Sequence, residues 1–442
     1  MIYNNYERLK YNIRELLSSG IGFAHPFIKS GAENYSGIKM FIQQISLPNY
    51  HNVMFNSLSN ESISYHISGY GASNKEAITR TMGEAVERYS FMSSYHLVKR
   101  DIKIASYKGL IENGYKALPL KFLNITPINN GYFTNVEETD ELEWIKLFNY
   151  KEHESIYVPI QLICSDRTGK KIGIPAMSTG TATHVNYENA LFNAMIEAFQ
   201  IDCFMKAWYL DKPLKQIEWK DYVSVEFMNL YDSIFNFMTD TDIKILYNPM
   251  EGTEFNNFIT IISNKSLGFP LYAVGVQGGI NSEYAMWRSI MEAASIYINL
   301  ECFYVFMDKE IDNVDYNKCK NSLNLDDTFY FWANRNDIDK KVNYMNSLIS
   351  NEKIEFNKIS KISKIAKKDE LKEMFRVAQK CLNYTMFLDI TPPELYEYGY
   401  KTVRFIAPEL LSMNLPAVPY INHPCFSTIG GIKGDVFPHP LP

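Results

Sequence analysis

Apolar positions recur at helical spacing three times along this chain. Each time they follow a short apolar or alternating run and a glycine-bearing turn. The stretches are "SISYHISGYGASNKEAITRTMGEAVERYSFM", "KIGIPAMSTGTATHVNYENALFNAMIEAFQIDCFMKAW" and "FPLYAVGVQGGINSEYAMWRSIMEAASIYINL". Ile78, Met82, Ala85 and Val86 share one helix face, as do Leu191, Ala194, Met195 and Ala198, and Met286, Ile290 and Ala293. A 3.6-residue period behind a short run predicts a strand–turn–helix unit. Three such units at unequal intervals predict an α+β fold and argue against a solenoid. The start, "MIYNNYERLKYNIRELL", reads as a further amphipathic helix.

The faces opposite the apolar ones are polar in a shared register. Aligning the helices on Ala77, Ala190 and Ala285 places Arg80, Asn193 and Arg288 three residues on. Glu84, Glu197 and Glu292 follow at seven, and Glu87, Gln200 and Ser295 at ten. These offsets keep to one helix face. A single stripe of this kind is ordinarily a solvated face with i,i+4 ion pairs. Three in register, each behind the same run and turn, point to a shared site.

Composition limits the alternatives. The chain has 442 residues with 46% apolar content, enough for two to three domains or one large domain with insertions. A formal net charge of −6 gives no electrostatic case for nucleic acid. No run reaches the roughly 18 apolar residues of a membrane span, and the start lacks a signal peptide's apolar stretch. Six scattered cysteines without CxxC spacing suit a reducing, cytoplasmic setting.

Carboxylates gathered as Glu84, Glu87, Glu197 and Glu292 in one cleft need protons or cations to coexist. Oxygen-only ligation is the habit of Mg²⁺, which also bridges to substrate phosphates. Arg80, Arg88 and Arg288 lie on or near the stripes and suit phosphate oxygens. Glycine turns before helices add backbone N–H donors. Together these features suggest a Mg-nucleotide site. The chain has no GxxxxGK[ST] loop, "DRTGKKIG" reads as a turn, and no HRD…DFG set is present.

The residues then resemble a known family. "GYGASNKEAITRTMGEAVERYS" and "STGTATHVNYENALFNAMIEAFQID" resemble the two Glu-bearing nucleotide motifs of the YcaO family. "GVQGGINSEYAMWRSIMEAAS" is similar to its third motif, and "FLDITPPELYEYGYKTVRFIAPELL" to its closing segment. The chain ends "FPHPLP", like the Pro-x-Pro-x-Pro tail of azoline-forming members. Alternating prolines favour an extended shape that loses little entropy on docking. The resemblance divides the chain into an N-terminal segment, 1–60, and a YcaO-type domain, 61–442, with its units around a nucleotide cleft.

That resemblance implies an ATP-dependent cyclodehydratase of the streptolysin S-like or microcin-like type, forming azolines from Cys, Ser or Thr in a precursor peptide. It implies Mg²⁺ on Glu84, Glu87 and Glu197, and phosphate on Arg288 beside Glu292. Ser178 and Thr179 fall in the family's nucleotide turn. The tail, Pro438, Pro440 and Pro442, would bring its terminal carboxylate to the site as base. The sequence departs from the pattern at Gln200, where a second acid is common, at Thr179, where Asn is common, and at Tyr70, where Lys is common. An amide at Gln200 can still offer a carbonyl to a metal. Expected partners are the precursor peptide, an E1-like leader-binding protein and a flavin dehydrogenase, with the enzyme itself a homodimer. Two other readings stay open: a YcaO enzyme making a thioamide or amidine, and a nucleotide-binding docking scaffold.

Other residues have plainer readings. Asp202 and Lys206 form an i,i+4 pair, Cys203 sits in the core, and His66 and His184 are ordinary hydrogen-bonding histidines. His439 could reach the site with the tail. "NKISKISKIAKKDELKEMF" reads as a solvated basic amphipathic helix, with a partner contact as the alternative.

Overall fold

A computed structural model describes residues 12, 14–17, 24, 40–47, 65–127, 131–164, 173–210, 212–235, 238, 240–359, 369–432 and 436–441. The turn expected within 166–173, the basic part of 357–375, the His66 side chain and Pro442 lie wholly or mostly outside them. Of the N-terminal amphipathic segment, residues 12 and 14–16 are helical.

Three long helices organise the fold: α1 (Asn74–Val98), α2 (Tyr187–Tyr209) and α3 (Ser282–Asp312). Each packs on an antiparallel strand pair. Below α1, β1 (Phe41–Leu47) pairs in register with β2 (Tyr65–Gly71). Residues 41–47, assigned by sequence to the N-terminal segment, thus form the outer strand of the first unit. A third sheet, β3 (Lys103–Ser106), β4 (Glu141–Asn149) and β5 (Glu154–Pro159), carries the connection onward.

The second unit departs from the expected order. Its strand, β6 (Thr181–His184), follows the glycine turn instead of preceding it. Gly180 has φ +86°, and a Cβ there would sit 2.7 Å from the Phe405 carbonyl. The glycine therefore admits a close backbone approach at the strand's entry. The partner of β6 is β13 (Lys401–Ile406), more than 200 residues later, which also pairs with β12 (Met386–Asp389).

In the third unit, β9 (Asn256–Asn264) and β10 (Tyr272–Gly279) lie under α3. They end a five-stranded sheet continued by β8 (Thr241–Tyr247), β7 (Leu214–Glu218) and β11 (Ile349–Glu355). The largest core cluster fills the space between this sheet, the second half of α2 and α3. Among the described residues, α3 is the one helix long and apolar enough to cross a membrane; half of its apolar window is buried inside the protein. Helix Glu370–Cys381 buries Met374, Val377 and Ala378 against α2, so the described end of the basic stretch is amphipathic as expected.

The units close on one another. The flank of α1 touches β6, that of α2 touches β10, and that of α3 touches β2. This cyclic contact turns the three polar stripes toward one another.

Candidate active site

The three helices begin alike. Ser73, Asn186 and Asn281 stand four residues before the aligned alanines. Each side chain accepts the backbone N–H three residues on, from Glu76, Asn189 and Tyr284 at 3.2, 3.0 and 3.1 Å. Caps of this type are worth about 1 kcal/mol each. They set where each helix starts, and so which residues form its stripe.

Bonds between units then join the stripes. Arg88 Nη1 donates to Ser178 Oγ, linking α1 to the turn before β6. Arg80 Nη2 donates to the Tyr284 hydroxyl at 3.4 Å, linking α1 to α3. Arg80 also pairs with Glu76 at 2.9 Å, whose other oxygen accepts the Ala72 N–H. Gln200 Nε2 donates to the Val276 carbonyl at 2.8 Å, linking α2 to β10. Its Oε1 accepts from Gln277 Nε2 at 2.7 Å and Gly278 N at 3.2 Å. The carbonyl expected to face a metal is thus engaged by two donors.

Two of the three acids at the shared offset are held by backbone. Glu197 Oε2 accepts the Gly180 N–H at 3.2 Å, and Glu292 Oε2 accepts the Val276 N–H at 2.7 Å. Burial pushes both carboxyls up to about 7, against the pull of these bonds and of nearby arginines. Burial, then the charge of Glu197, pushes Glu87 well above the usual carboxylate range. Glu84 has 33% of its side chain exposed; it is raised by burial although Arg88 lies 3.5 Å away. Glu84 and Glu197 both disfavour ionisation of Glu292, so the four share one electrostatic environment. Asn193 is exposed on the same face of α2.

Among the described residues, no three acidic, histidine or cysteine side chains form a complete metal-binding group by themselves. Mg²⁺ does not need one, since it takes few protein carboxylates and fills its shell with water and phosphate oxygens. The nearby arginines do not offset the burial of these acids, whose carboxyls stay raised, so a further cation would suit them. Arg288 offers the complementary feature. It is 5% exposed, lies over the Tyr70 ring with its guanidinium carbon 4.4 Å from the centroid, and leaves Nη1 without a hydrogen-bond acceptor. Glu76 is 3.8 Å from that nitrogen, too far to hydrogen-bond. A buried guanidinium N–H of this kind fits a phosphate oxygen. The residues present therefore suit Mg²⁺ and a nucleotide.

Arg404 lies in the closing segment quoted from the sequence, which gives it no role. It lies on β13, 6% exposed, and donates to the Thr179 carbonyl at 2.6 Å, Thr181 Oγ1 at 3.0 Å and the Leu162 carbonyl at 3.1 Å. It braces the Ser178–Gly180 turn from behind. Burial lowers it to about 10, opposed by the charges of Glu197, Cys164 and Glu87. Only its partnership with β6 reveals it, and no local pattern marks that pairing.

The tail is seated, not frayed. Trp208 Nε1 donates to the Phe437 carbonyl at 2.7 Å and Trp332 Nε1 to the Pro438 carbonyl at 2.8 Å. Thr328 Oγ1 donates to the Leu441 carbonyl at 3.0 Å. Pro438, His439, Pro440 and Leu441 are all buried. Trp208 stands on α2, eleven residues beyond Glu197, or about 16 Å along the helix.

Comparison with known proteins decides the family. The model described as YcaO cyclodehydratase, ATP- and Mg²⁺-binding, matches residues 68–411. The chain belongs to the YcaO family. Members of this family bind ATP and Mg²⁺, as the carboxylates and arginines here require. No curated protein matches the chain. Among solved structures, a heterocyclase in complex with substrate and cofactor superposes with a TM-score of 0.71 at 15% identity. The alignment covers 98% of this YcaO chain and 57% of that one, so this chain spans a little over half of that heterocyclase. The Methanopyrus kandleri YcaO bound with AMPPCP and Mg²⁺ gives a TM-score of 0.62 at 14% identity, covering 92% and 91%. A chain of the E. coli microcin synthetase McbBCD complex with pro-MccB17 bound gives 0.64 at 15%, covering 100% and 99%. At these identities the superpositions establish the YcaO fold.

Proposed function

We propose that this YcaO protein catalyses ATP-dependent cyclodehydration of Cys, Ser or Thr residues in a ribosomal precursor peptide, giving azolines. One observation carries the reading: half-buried acids from three helices act on one another's charge beside a buried arginine whose Nη1 lacks a hydrogen-bond acceptor. In this reading Glu84, Glu87 and Glu197 hold Mg²⁺, while Arg288, Arg80 and Arg88 hold phosphate oxygens. ATP held there would supply the phosphoryl group that makes the amide-derived oxygen a leaving group, and Mg²⁺ would neutralise the phosphate charge.

The chain's own residues do the rest. The Ser178–Thr179 turn, braced by Arg88 and Arg404, positions the nucleotide. Gln200 fixes the spacing of α2 and β10. The substrate side chain must lose a proton as it attacks the preceding carbonyl, and the amide nitrogen loses one as phosphate departs. The carboxylate of Pro442 is the base we assign to these transfers. Its anchor supports that role. At about 3.1 Å per residue, the five residues after Phe437 extend about 15 Å, similar to the spacing of Trp208 from Glu197.

The homologous assemblies favour partner proteins: McbBCD is a complex, and one form of it holds pro-MccB17. For this chain we infer a precursor peptide, an E1-like partner, a flavin dehydrogenase, a homodimeric state and a reducing, cytoplasmic setting. The six cysteines are all free. The test is incubation with a candidate precursor, partner protein, ATP and Mg²⁺, followed by mass spectrometry. Loss of one water per modified residue with ADP formation supports the proposal. Exchange of oxygen for sulfur would assign thioamide formation instead, and nucleotide binding without peptide change would assign a scaffold.

A further inference from the structure

We infer that His439 couples the seating of the tail to the nucleotide turn through Asn414, making His439 a positioning residue for nucleotide binding. The inference rests on the nucleotide site proposed above.

The link is the short segment 411–414. At one end Leu411 N donates to Asp202 Oδ1 at 2.8 Å, fixing the segment to α2. In its middle Met413 N donates to Thr179 Oγ1 at 3.4 Å, so the segment touches the nucleotide turn directly. At the other end Asn414 is 2% exposed and fully engaged. Its Oδ1 accepts the Tyr209 hydroxyl at 2.7 Å, and its Nδ2 donates to the Leu415 carbonyl at 2.8 Å. The Asn414 backbone carbonyl accepts His439 Nε2 at 2.9 Å. A carbonyl only accepts, so Nε2 carries the proton. Burial holds the imidazole neutral, lowering it to about 4.

The other tail anchors do a different job. Trp208, Trp332 and Thr328 all grip main-chain carbonyls and would hold any extended peptide. His439 instead ties a tail side chain to the backbone one residue from Met413. With the tail seated, residues 413 and 414 are held on the Thr179 side. When the tail leaves, a buried carbonyl loses its donor and residues 413 and 414 are held against the turn by one bond fewer. Such coupling is reciprocal, so nucleotide on the turn must also tighten the tail.

The probe is Mg·AMPPCP, measured by titration calorimetry on the full chain. His439→Ala should weaken binding by about fivefold or more, within the usual range for coupled sites. His439→Gln, which keeps an N–H donor, should restore much of it. Thr328→Val loosens the far end of the tail and should leave affinity within about twofold. A second measurement needs no variant. Hydrogen exchange on the wild-type chain should show residues 437, 439 and 441 more protected with Mg·AMPPCP than without. Unchanged protection, or equal affinity of His439→Ala and wild type, overturns the inference while leaving the proposed function standing. A wild-type chain that binds no Mg·AMPPCP overturns both.

Discussion

Arg288 lies over Tyr70, with 4.4 Å between its guanidinium carbon and the ring centroid. The ring covers the cation's apolar face and leaves its edge N–H groups to reach an anion. Arg288→Met should therefore lower ATP turnover by about 10²–10³-fold, the loss typical of one transition-state donor. Arg288→Lys should not rescue it, because a lysine lacks the planar fork. Steady-state phosphate release, with thermal unfolding as the folding control, decides the point. A folded Met variant with wild-type turnover would remove Arg288 from the site.

Glu197→Gln should abolish turnover without a stability loss. The carboxylate is half-buried and its pKa raised, so replacing it by an amide removes a group that is costly to ionise there. The variant's melting temperature in the absence of Mg²⁺ should equal or exceed wild type. A clear drop would show that Glu197 serves the fold instead.

The raised acids also predict a pH dependence. Glu197 and Glu292 move from an ordinary value of 4.5 to about 7. Between those values the folded state holds more protons than the unfolded one, so their contribution is full below about 4.5 and lost as pH rises through about 7. Mg·AMPPCP requires the ionised forms, and binding it should release protons below neutrality. Thermal shifts caused by Mg·AMPPCP should grow from pH 5.5 to 7.5, on the order of the window those values define. A shift that shrinks over that range would refute the assignment.

Appending one glycine after Pro442 leaves the bonds from Trp208, Trp332 and Thr328 in place but moves the carboxylate by about 3 Å. Chemistry tolerates misplacement of about 1 Å poorly. Ring formation should fall sharply while Mg·AMPPCP affinity is kept. Normal cyclisation by the extended chain would show that the tail only closes the core.

Trp332→Phe keeps most of the packing but strips the buried Pro438 carbonyl of its donor. It should destabilise the protein by about 1–3 kcal/mol, measurable by urea unfolding.

The stripes were legible because a helix writes its faces at fixed offsets, so Glu84, Glu197 and Glu292 could be aligned from sequence alone. The Asp202–Lys206 pair at 2.7 Å and the His184 ring accepting the Asn186 N–H are equally local, and both matched expectation. The contacts of Arg404 and the tail anchors were not legible. Their partners lie 225 residues away for Thr179, 229 for Phe437 and 106 for Pro438, and nothing in the intervening sequence encodes those distances. The strand of the second unit was misplaced for the same reason. Gly180 answers to the Phe405 carbonyl rather than to its neighbours, so its local pattern resembled a helix-opening turn. Gln200 illustrates a subtler limit: its position on the stripe was right, but both ends of its amide answer to β10.

The pairing of β6 with β13 has a consequence for how the molecule is made. The turn at Gly180 is fixed by the Phe405 N–H reaching its carbonyl at 2.7 Å, and among the described residues β6 has no other strand beside it. On the ribosome, the first and third units can pair their own strands as soon as each has emerged, because those partners are close in sequence. The middle unit has to wait with a bare strand edge until residues past 406 leave the exit tunnel. An open edge is a template for association with other chains. A chain halted before residue 401 should therefore accumulate as aggregate instead of as a smaller folded protein. The nucleotide cleft becomes complete only when synthesis is nearly over.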